Sequence, residues 1–291
     1  MTQLLFLTLG GLRIGAIYGL AAIGLVVIHK ATRTVNFAHG ALIMLGAYGA
    51  YLCIDRWHVP YALVYLGVPV ATGLFASATE YAVLRRLRQA DAFSEVITTV
   101  FLAIVASEAI RIVFESESQT VPAVFGGPPW IVGPLILTRE TLWIGAGAVL
   151  CGVAALYLFK RSGLGLAMRA MSASVRGAQL CGYSVDRVYA QAWFLGGLLA
   201  GLAGVFAAPR LGVSPDLAMA TIVPAFVAAI IGGFDSPGGA ILGGLILGLL
   251  ETYTAAYLPG AFKNAFTFVL LLCLLLWVPN GLFPERKTRR A

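Results

Sequence analysis

Long apolar runs alternate with short polar or basic segments along almost the whole chain, from Leu4 to Val278. A helix that spans a bilayer needs about 20 consecutive residues that are mostly apolar, and most of these runs approach that length. The pattern predicts an all-α polytopic membrane protein with eight or nine transmembrane helices, because the short second run is alternatively a re-entrant or tilted segment. The predicted spans are residues 4–28, 41–54, 61–84, 96–114, 141–159, 189–208, 217–231, 239–251 and 262–278.

Residues 160–188 form a basic island between the fifth and sixth predicted spans. Its charged residues are Lys160, Arg161, Arg169, Arg176, Asp186 and Arg187. An excess of Lys and Arg places a short loop on the cytoplasmic side of the membrane. The middle of the island, residues 166–180, is rich in Ala and Met and contains no Pro. We therefore expect one short helix there, lying along the membrane surface and available to a cytoplasmic partner.

The composition agrees with a membrane protein and leaves no room for a soluble domain. The chain is 59% hydrophobic and 11% charged, whereas a soluble domain carries about 25% charged residues. The net charge of +7 comes from basic residues in the short loops, so it indicates topology rather than nucleic-acid binding. We predict one transmembrane domain over residues 1–291, with a cytoplasmic coupling loop at 160–188 and an external loop at 115–140. The C-terminus is expected in the cytoplasm.

Glycines recur at helical spacing in three of the predicted spans. These glycines are Gly11, Gly15 and Gly19 in the first span, Gly197 and Gly201 in the sixth, and Gly243, Gly244 and Gly248 in the eighth. Small residues allow transmembrane helices to approach closely, so helix packing is the favoured interpretation. A pore-lining role is the alternative for the first group. Two prolines also mark span ends and bends: Pro209 is expected to end the sixth span, and Pro224 to kink the seventh.

A polar pair, Asn36 and His39, stands just before the second apolar run and is followed by Gly40. Asn36 is suited to cap the second helix by accepting a hydrogen bond from the backbone N–H of residue 38 or 39. Polar residues at membrane depth also commonly face an interior cavity. Asn36, His39 and Gly40 are therefore the candidates for a translocation pathway.

The sequence lacks the motifs that would indicate an ATPase, a metal site or a proton-coupled carrier. The chain contains no Gly-Lys dipeptide, so it has no P-loop and is not expected to be an ATPase. Its four cysteines form no C-x-x-C pair, and neither a metal site nor a disulfide framework is predicted. The intramembrane carboxylates Glu80, Glu108 and Glu251 fall toward the ends of predicted spans, which disfavours a proton-coupled carrier. A non-enzymatic transport subunit driven by a separate cytoplasmic ATPase is the favoured interpretation.

Four stretches of the chain resemble the permease subunits of bacterial branched-chain amino-acid ABC importers, and in particular the H-type subunit of the Liv system. They are GLRIGAIYGLAAIGLVVI (11–28), NFAHGALIMLGAY (36–48), the island with its LAMRAMSA and LCGYSVDRV segments, and IGGFDSPGGAILGGLILGLLE (231–251). The resemblance extends over nearly the whole chain. Its most specific parts are residues 36–40 and the glycine-rich segment 231–251.

The resemblance implies a permease of the bacterial inner membrane that pairs with a second permease subunit. Two cytoplasmic ATPase subunits would bind ATP and Mg, so no cofactor is expected in this chain, and a periplasmic binding protein would deliver the amino acid. The stretch from Arg169 to Asp186 matches the family's coupling segment, which makes Arg169, Arg176 and Asp186 the candidates for ATPase contact. Ser174 departs from the family pattern, because an acidic residue is usual there.

The alternatives differ in substrate or in mechanism. Relatives of this type are thought to carry urea, short amides or aromatic acids as well as branched-chain amino acids. A self-sufficient secondary carrier or channel for a small polar solute is the rival from another class. A membrane subunit with no pathway of its own is a third interpretation.

Overall fold

Helices form most of the described chain. The computed structural model describes residues 2–88, 91–114, 117–122, 124–125, 130–132, 135–259, 262–278 and 281–283. The helices are α1 (Thr2–Thr32), α2 (His39–Tyr51), α3 (Tyr61–Thr79), α4 (Arg85–Leu87), α5 (Ala92–Phe114), α6 (Arg139–Arg161), α7 (Gly163–Ala173), α8 (Val175–Leu180), α9 (Val185–Leu211), α10 (Leu217–Gly232), α11 (Pro237–Tyr257) and α12 (Phe262–Trp277). Two π-helical turns, Leu52–Arg56 and Glu80–Leu84, continue α2 and α3.

Six helical segments among the described residues are long and apolar enough to cross a membrane. They are Gln3–Thr32, Tyr61–Leu87, Phe93–Phe114, Arg139–Arg161, Val185–Leu211 and Pro237–Tyr257. Two shorter apolar helices, Leu217–Gly232 and Ala265–Trp277, accompany them. The prediction of a helical multi-pass membrane protein is confirmed. The predicted external loop contains an antiparallel pair of short strands, β1 (Trp130–Val132) and β2 (Leu135–Leu137), and Gln119 forms an isolated bridge with Val213.

The helices run so that one end of the bundle collects most of the basic residues. This end, called the basic end below, contains the C-terminus of α1, the N-terminus of α2, the turn between α10 and α11, and the two short helices α7 and α8. Its basic residues include Lys30, Arg33, Arg85, Arg86, Arg88, Lys160, Arg161, Arg169, Arg176 and Arg187. The strands and the N-terminus of α1 lie at the opposite end.

Helix α1 occupies the centre of the bundle, where it packs against α6, α9, α10 and α11. Its middle turns, from Ala22 to Ile28, are completely or almost completely buried. Gly15 lies against α11, and a Cβ atom added to it would come within 2.7 Å of the Gly244 carbonyl oxygen. Gly11 and Gly19 meet Leu249 and Ile241 of α11 in the same way. The glycine face of α1 therefore lies directly on the backbone of α11.

Helix α9 uses its small residues to contact several neighbours at once. Gly197 and Gly201 lie against α3, while Gly243 of α11 lies against Ala228 of α10. The helix also runs through Pro209 to Leu211, so the expectation that Pro209 ends it is wrong. A proline this close to a helix end removes one backbone donor, and Gly212, with φ 75°, is the residue at which the helix ends.

The basic island differs from the single surface helix expected for residues 166–180. It folds as two helices, α7 and α8, because Ser174 between them is extended (φ −164°, ψ 116°) and caps α8. The Ser174 hydroxyl accepts a hydrogen bond from the backbone N–H of Gly177 at 3.0 Å. Met168 and Met171 of α7 are buried against the bundle. The segment is thus docked on the helices behind it through one apolar face.

Two of the carboxylates expected near span ends lie inside their helices. Helix α11 continues to Tyr257, which puts Glu251 six residues, or about 9 Å, before its end. Helix α3 continues through its π-helical turn and α4 to Leu87, which encloses Glu80. Both side chains are buried, with Glu251 3% exposed and Glu80 2% exposed. Both residues lie toward the ends of their helices, but the helices continue beyond the predicted span ends at residues 84 and 251.

Candidate functional site

At the basic end, Arg33 joins three separate parts of the fold. It follows the last residue of α1 and has a positive φ of 62°. Its guanidinium group donates to Asp235 Oδ1 at 2.8 Å, and to the Ser172 carbonyl and hydroxyl oxygens at 2.8 and 2.7 Å. Lys30 Nζ donates to the Asp235 carbonyl oxygen at 2.8 Å. These contacts, called the Arg33 link below, connect α1, α7 and the α10–α11 turn.

The three residues predicted to contact an ATPase occupy different environments. Arg176 is exposed on α8. Arg169 of α7 points back toward the bundle, where it donates to the Phe159 carbonyl oxygen and lies over the Phe159 ring. Asp186 at the start of α9 is partly exposed and pairs with Arg85 and Arg88. Arg176 is therefore the one of the three that projects from the surface.

Asp186 belongs to a charged cluster between α3, α4 and α9. Arg88 contacts both Asp186 and the buried carboxylate of Glu80, and its guanidinium carbon lies 4.7 Å from the centre of the Tyr189 ring. A cavity of about 510 Å³ adjoins the cluster and is also lined by Glu95. A buried carboxylate is retained when it is paired and hydrogen-bonded, and Arg88 supplies that pairing for Glu80. The cluster fixes the start of α9, which lies within the last part of the basic island.

The predicted pathway residues Asn36, His39 and Gly40 are buried between helices. Asn36 Oδ1 accepts a hydrogen bond from the backbone N–H of Ala38 at 2.9 Å. The N-cap position of α2 is Ala38, and no side chain caps the helix there, so the expectation that Asn36 caps α2 is wrong. His39 Nε2 lies 2.9 Å from the Ala21 carbonyl oxygen. Because a carbonyl only accepts, this nitrogen carries the proton.

Their burial shows what these side chains contact in the present structure. His39 is 0% exposed and holds α2 against α1. Gly40 lies against Ala218 and Ile222 of α10, where a Cβ atom would come within 2.8 Å of the Ile222 Cβ atom. All three residues position α2 in the present structure. A direct role in translocation stays a prediction.

An aromatic cluster covers the basic end of α10. Phe37 stacks on Phe226 with 5.5 Å between ring centres, and Phe226 meets Phe234 edge-on at 5.0 Å. His29 contacts Phe234 at 4.9 Å. Phe234 is the neighbour of Asp235, so the cluster adjoins the Arg33 link. Sequence reasoning missed it, although Phe37 and Phe234 stand in the two most specific segments of the resemblance.

Toward the opposite end, α10 borders a cavity of about 450 Å³ between α1, α10, α11 and α12. We call it the Glu251 cavity. Its polar lining residues are Tyr18, Ser214, Asp216, Glu251 and Thr267. Glu251 accepts hydrogen bonds from the Tyr18 hydroxyl at 2.9 Å and from the Thr267 hydroxyl at 2.7 Å. Its apolar lining includes Leu217, Met219, Val223 and Phe268.

One face of α10 connects the cavity to the aromatic cluster. Asp216, Met219, Val223 and Phe226 recur every three or four residues from the start of the helix, so they share a face. Met219 is exposed, and Val223 and Phe226 are partly exposed. Within the described residues, the fold thus combines apolar membrane-length helices, a polar cavity beside α10 and a docked basic segment. These features are those of a helical membrane permease.

The family of the chain follows from comparison with known sequences. The sequence model of the family described as "Branched-chain amino acid transport system / permease component" matches residues 7–275. The chain therefore belongs to that family, and the resemblance found in its motifs is confirmed. No solved structure matches the chain.

Two curated relatives are similar over nearly their whole length. The chain is 29% identical over 289 residues to the high-affinity branched-chain amino acid transport system permease protein LivH of Escherichia coli (strain K12). This alignment covers 94% of this chain and 92% of that protein. It is 27% identical over 286 residues to the corresponding permease protein BraD of Pseudomonas aeruginosa, with 94% and 93% covered.

Proposed function

We propose that this chain is a membrane-spanning permease subunit of an ABC importer and forms part of the translocation pathway for amino acids, with branched-chain amino acids as the leading substrates. A second permease subunit completes the pathway, and a periplasmic binding protein delivers the substrate. Two separate cytoplasmic ATPase subunits supply the energy and bind ATP and Mg, so the chain itself has no ATPase site. Membership of the family and the transport described in the names of both relatives support this proposal.

The proposed topology has nine crossings of the bacterial inner membrane within a single domain. They are made by α1, α2 with its π-helical turn, α3 with α4, α5, α6, α9, α10, α11 and α12. The basic end faces the cytoplasm, because short loops rich in Lys and Arg stay on that side. The C-terminus lies there too, and the loop at 115–140 lies outside. In the eight-span alternative, α2, which begins at the buried His39, does not cross the membrane.

The observation that carries the coupling mechanism is the Arg33 link. When the ATPase subunits close, they displace α7 and α8, and small shifts of this kind move packed helices as rigid bodies. Arg33 transmits the displacement from Ser172 to α1 and to Asp235. The aromatic rings next to Asp235 then shift relative to the α10 face that they cover. Arg176 is placed to contact the ATPase, while Arg169 and Asp186 hold the two ends of the segment.

The first test is the composition of the native complex. The tagged chain is purified from its native membrane in mild detergent, and its companions are identified by mass spectrometry. Co-purification of P-loop ATPases and a second permease is expected. A stable complex of this chain with itself alone, able to move a solute in liposomes without ATP, would replace the importer with a secondary carrier or channel.

A further inference from the structure

A second cavity, of about 590 Å³, lies between α6 and α11 at the end of the bundle opposite the basic end. Near the basic end these two helices lie against each other, through Gly152 and Leu156 of α6 and Ile241 and Gly238 of α11. Toward the opposite end they separate, and residues 6–14 of α1 form a wall of the gap. We call this gap the Arg13 crevice. Its volume is within the range of about 300–1,000 Å³ that is usual for small-molecule sites.

Two arginines line the crevice. Arg13 of α1 donates to the Thr141 hydroxyl at 2.7 Å, and Arg210 stands in the last turn of α9. Among the residues that the structure describes, neither guanidinium group forms an ion pair, and Arg210 also makes no hydrogen bond. The two groups lie within electrostatic range and repel each other. An anion between them would therefore remove an unfavourable interaction.

The carboxylates near the crevice do not cancel this positive charge within it. Glu251 also lines the crevice, but its two oxygens accept hydrogen bonds from Tyr18 and Thr267, whose side chains lie outside this lining. Glu140 acts on Arg13 from outside the lining. Two arginines and one glutamate give the lining a formal charge of +1, which suits a single anionic group.

The donors of the crevice match the oxygens of a phosphate group. A guanidinium group has five N–H donors in a planar fork, and this fork can bind two oxygens of one phosphate. Thr138, Thr141 and Thr252 add hydroxyl groups to the same lining. Thr138 is also the N-cap of α6, so the partial positive charge at the start of that helix adds to the attraction for an anion.

The surroundings of the crevice indicate that its ligand comes from the bilayer. Phe6 is 58% exposed, and Leu12 and Leu142, the neighbours of Arg13 and Thr141, are 37% and 41% exposed. Exposed apolar residues around a site mark contact with a membrane or a partner, and these lie on membrane-length helices. Arg210 stands at a helix end, at the level where lipid headgroups are expected. Basic pockets between membrane helices are known sites for lipid headgroups.

We infer that the Arg13 crevice binds the phosphodiester group of an anionic phospholipid, with Arg13 and Arg210 as the residues that contact it. In the proposed topology the lipid belongs to the outer leaflet of the inner membrane. Its acyl chains lie along the lipid-facing sides of α6 and α11, where Leu150 and Leu242 are exposed. The lipid thereby fills the gap between two helices that separate at this end. Its binding does not depend on the importer function.

The test counts the phospholipids bound to the purified complex by native mass spectrometry. The complex is freed of lipid in detergent and titrated with phosphatidylglycerol, or with phosphatidylcholine, whose headgroup carries a compensating positive charge. One high-affinity phosphatidylglycerol per copy of this chain is expected, with phosphatidylcholine bound at least about tenfold more weakly. Inorganic phosphate and leucine at equal concentration are not expected to displace the lipid, because neither has acyl chains.

Three variants assign the bound lipid to the crevice. Arg210→Gln removes the charge of an exposed side chain, so the complex should assemble while phosphatidylglycerol affinity falls at least about tenfold. Ala255→Phe fills the crevice from an exposed position of α11 and leaves both arginines in place, so it is expected to lose the same lipid. Arg56→Gln is the matched control, because Arg56 is an exposed arginine at the same end outside the lining, and it should keep wild-type affinity.

Unchanged phosphatidylglycerol affinity in either Arg210→Gln or Ala255→Phe would overturn the inference. An equal loss in Arg56→Gln would do the same, because the effect would then come from the general charge of this end. Displacement by equal concentrations of inorganic phosphate or leucine would assign the crevice to a free anion instead. Transport enters none of these measurements, so the importer function stands or falls separately, and the chain alone serves for the assay if it purifies without ATPases.

Discussion

Arg33 and Asp235 are 202 positions apart in the sequence, yet Arg33 Nη1 lies 2.8 Å from Asp235 Oδ1. Both side chains remain partly open to solvent, at 45% and 37% exposed. An exposed ion pair contributes about 0–1 kcal/mol to stability. The left-handed backbone at Arg33 costs about 1–3 kcal/mol in a non-glycine residue, so the pair is poorly explained as a stabilising device. Transmission between α1, α7 and the α10–α11 turn explains its position better.

Arg33→Ala is expected to uncouple transport from ATP hydrolysis. The variant removes the contacts to Ser172 and Asp235 together, so displacement of α7 no longer reaches α1 through this side chain. Uptake and substrate-stimulated ATPase activity should fall about tenfold or more, while the melting temperature of the complex changes little. Both rates are measured on reconstituted complexes. Arg161→Ala, an exposed arginine at the same end, is the control, and wild-type stimulation in Arg33→Ala would exclude the transmitting role.

Ala173→Pro tests the coupling segment itself. Ala173 is the last residue of α7, and proline there removes a helical N–H and restrains the backbone of Ser172, which receives the Arg33 bonds. Uptake and ligand-stimulated ATPase activity should be abolished while the subunit still inserts in the membrane. Ala173→Gly, which keeps the N–H, should retain most of the activity. Normal stimulation in the proline variant would refute the coupling role of α7.

Gly15→Ala should weaken the contact between α1 and α11. The added methyl group would lie 2.7–2.8 Å from backbone atoms of Gly244 and Leu245, which cannot move as a side chain can. Overpacking of this kind costs about 1–3 kcal/mol. Gly10→Ala is the matched control, because a Cβ atom there meets nothing within 4 Å and the gain in helix propensity is similar. Thermal unfolding of the two purified variants should show a lower midpoint for Gly15→Ala alone.

His39→Leu distinguishes positioning from direct participation in transport. The variant fills the buried space with an apolar side chain and loses the donor to the Ala21 carbonyl, at a cost of about 0.5–3 kcal/mol. If His39 only positions α2, uptake per folded complex should fall in step with thermal stability. His39→Gln, which keeps an N–H donor, should recover much of both properties. A loss of uptake in both variants with unchanged unfolding temperature would instead support a direct pathway role.

Much of this architecture follows from the sequence because the bilayer imposes a simple constraint. Backbone groups in lipid must be satisfied within a helix, so apolar length alone predicts the membrane helices. The glycine spacing likewise marks faces on which helices approach closely, as Gly15 and Gly244 show. These are local properties, and each can be identified within a window of about 20 residues.

The candidate site was less predictable because it depends on contacts between distant segments. The pairing of Arg33 with Asp235 follows from the packing of α1, α7 and α11 together. A serine at position 174 is compatible with one helix or with two. Its role as the cap of α8 is established only by its extended backbone. The end of the eighth span was predicted near Glu251 because hydropathy declines after that residue, but the helix continues through Thr252 and Tyr253 to Tyr257. Polar residues near a helix end therefore obscure where that end lies.

The close contact between Gly15 and Gly244 also has a mechanical consequence. Where two backbones touch without intervening side chains, one helix cannot slide along the other without lifting away from it. We therefore expect α1 and α11 to move together as one rigid body. Arg33 follows the last residue of α1, so a displacement of α7 that reaches Arg33 through Ser172 would move both helices together.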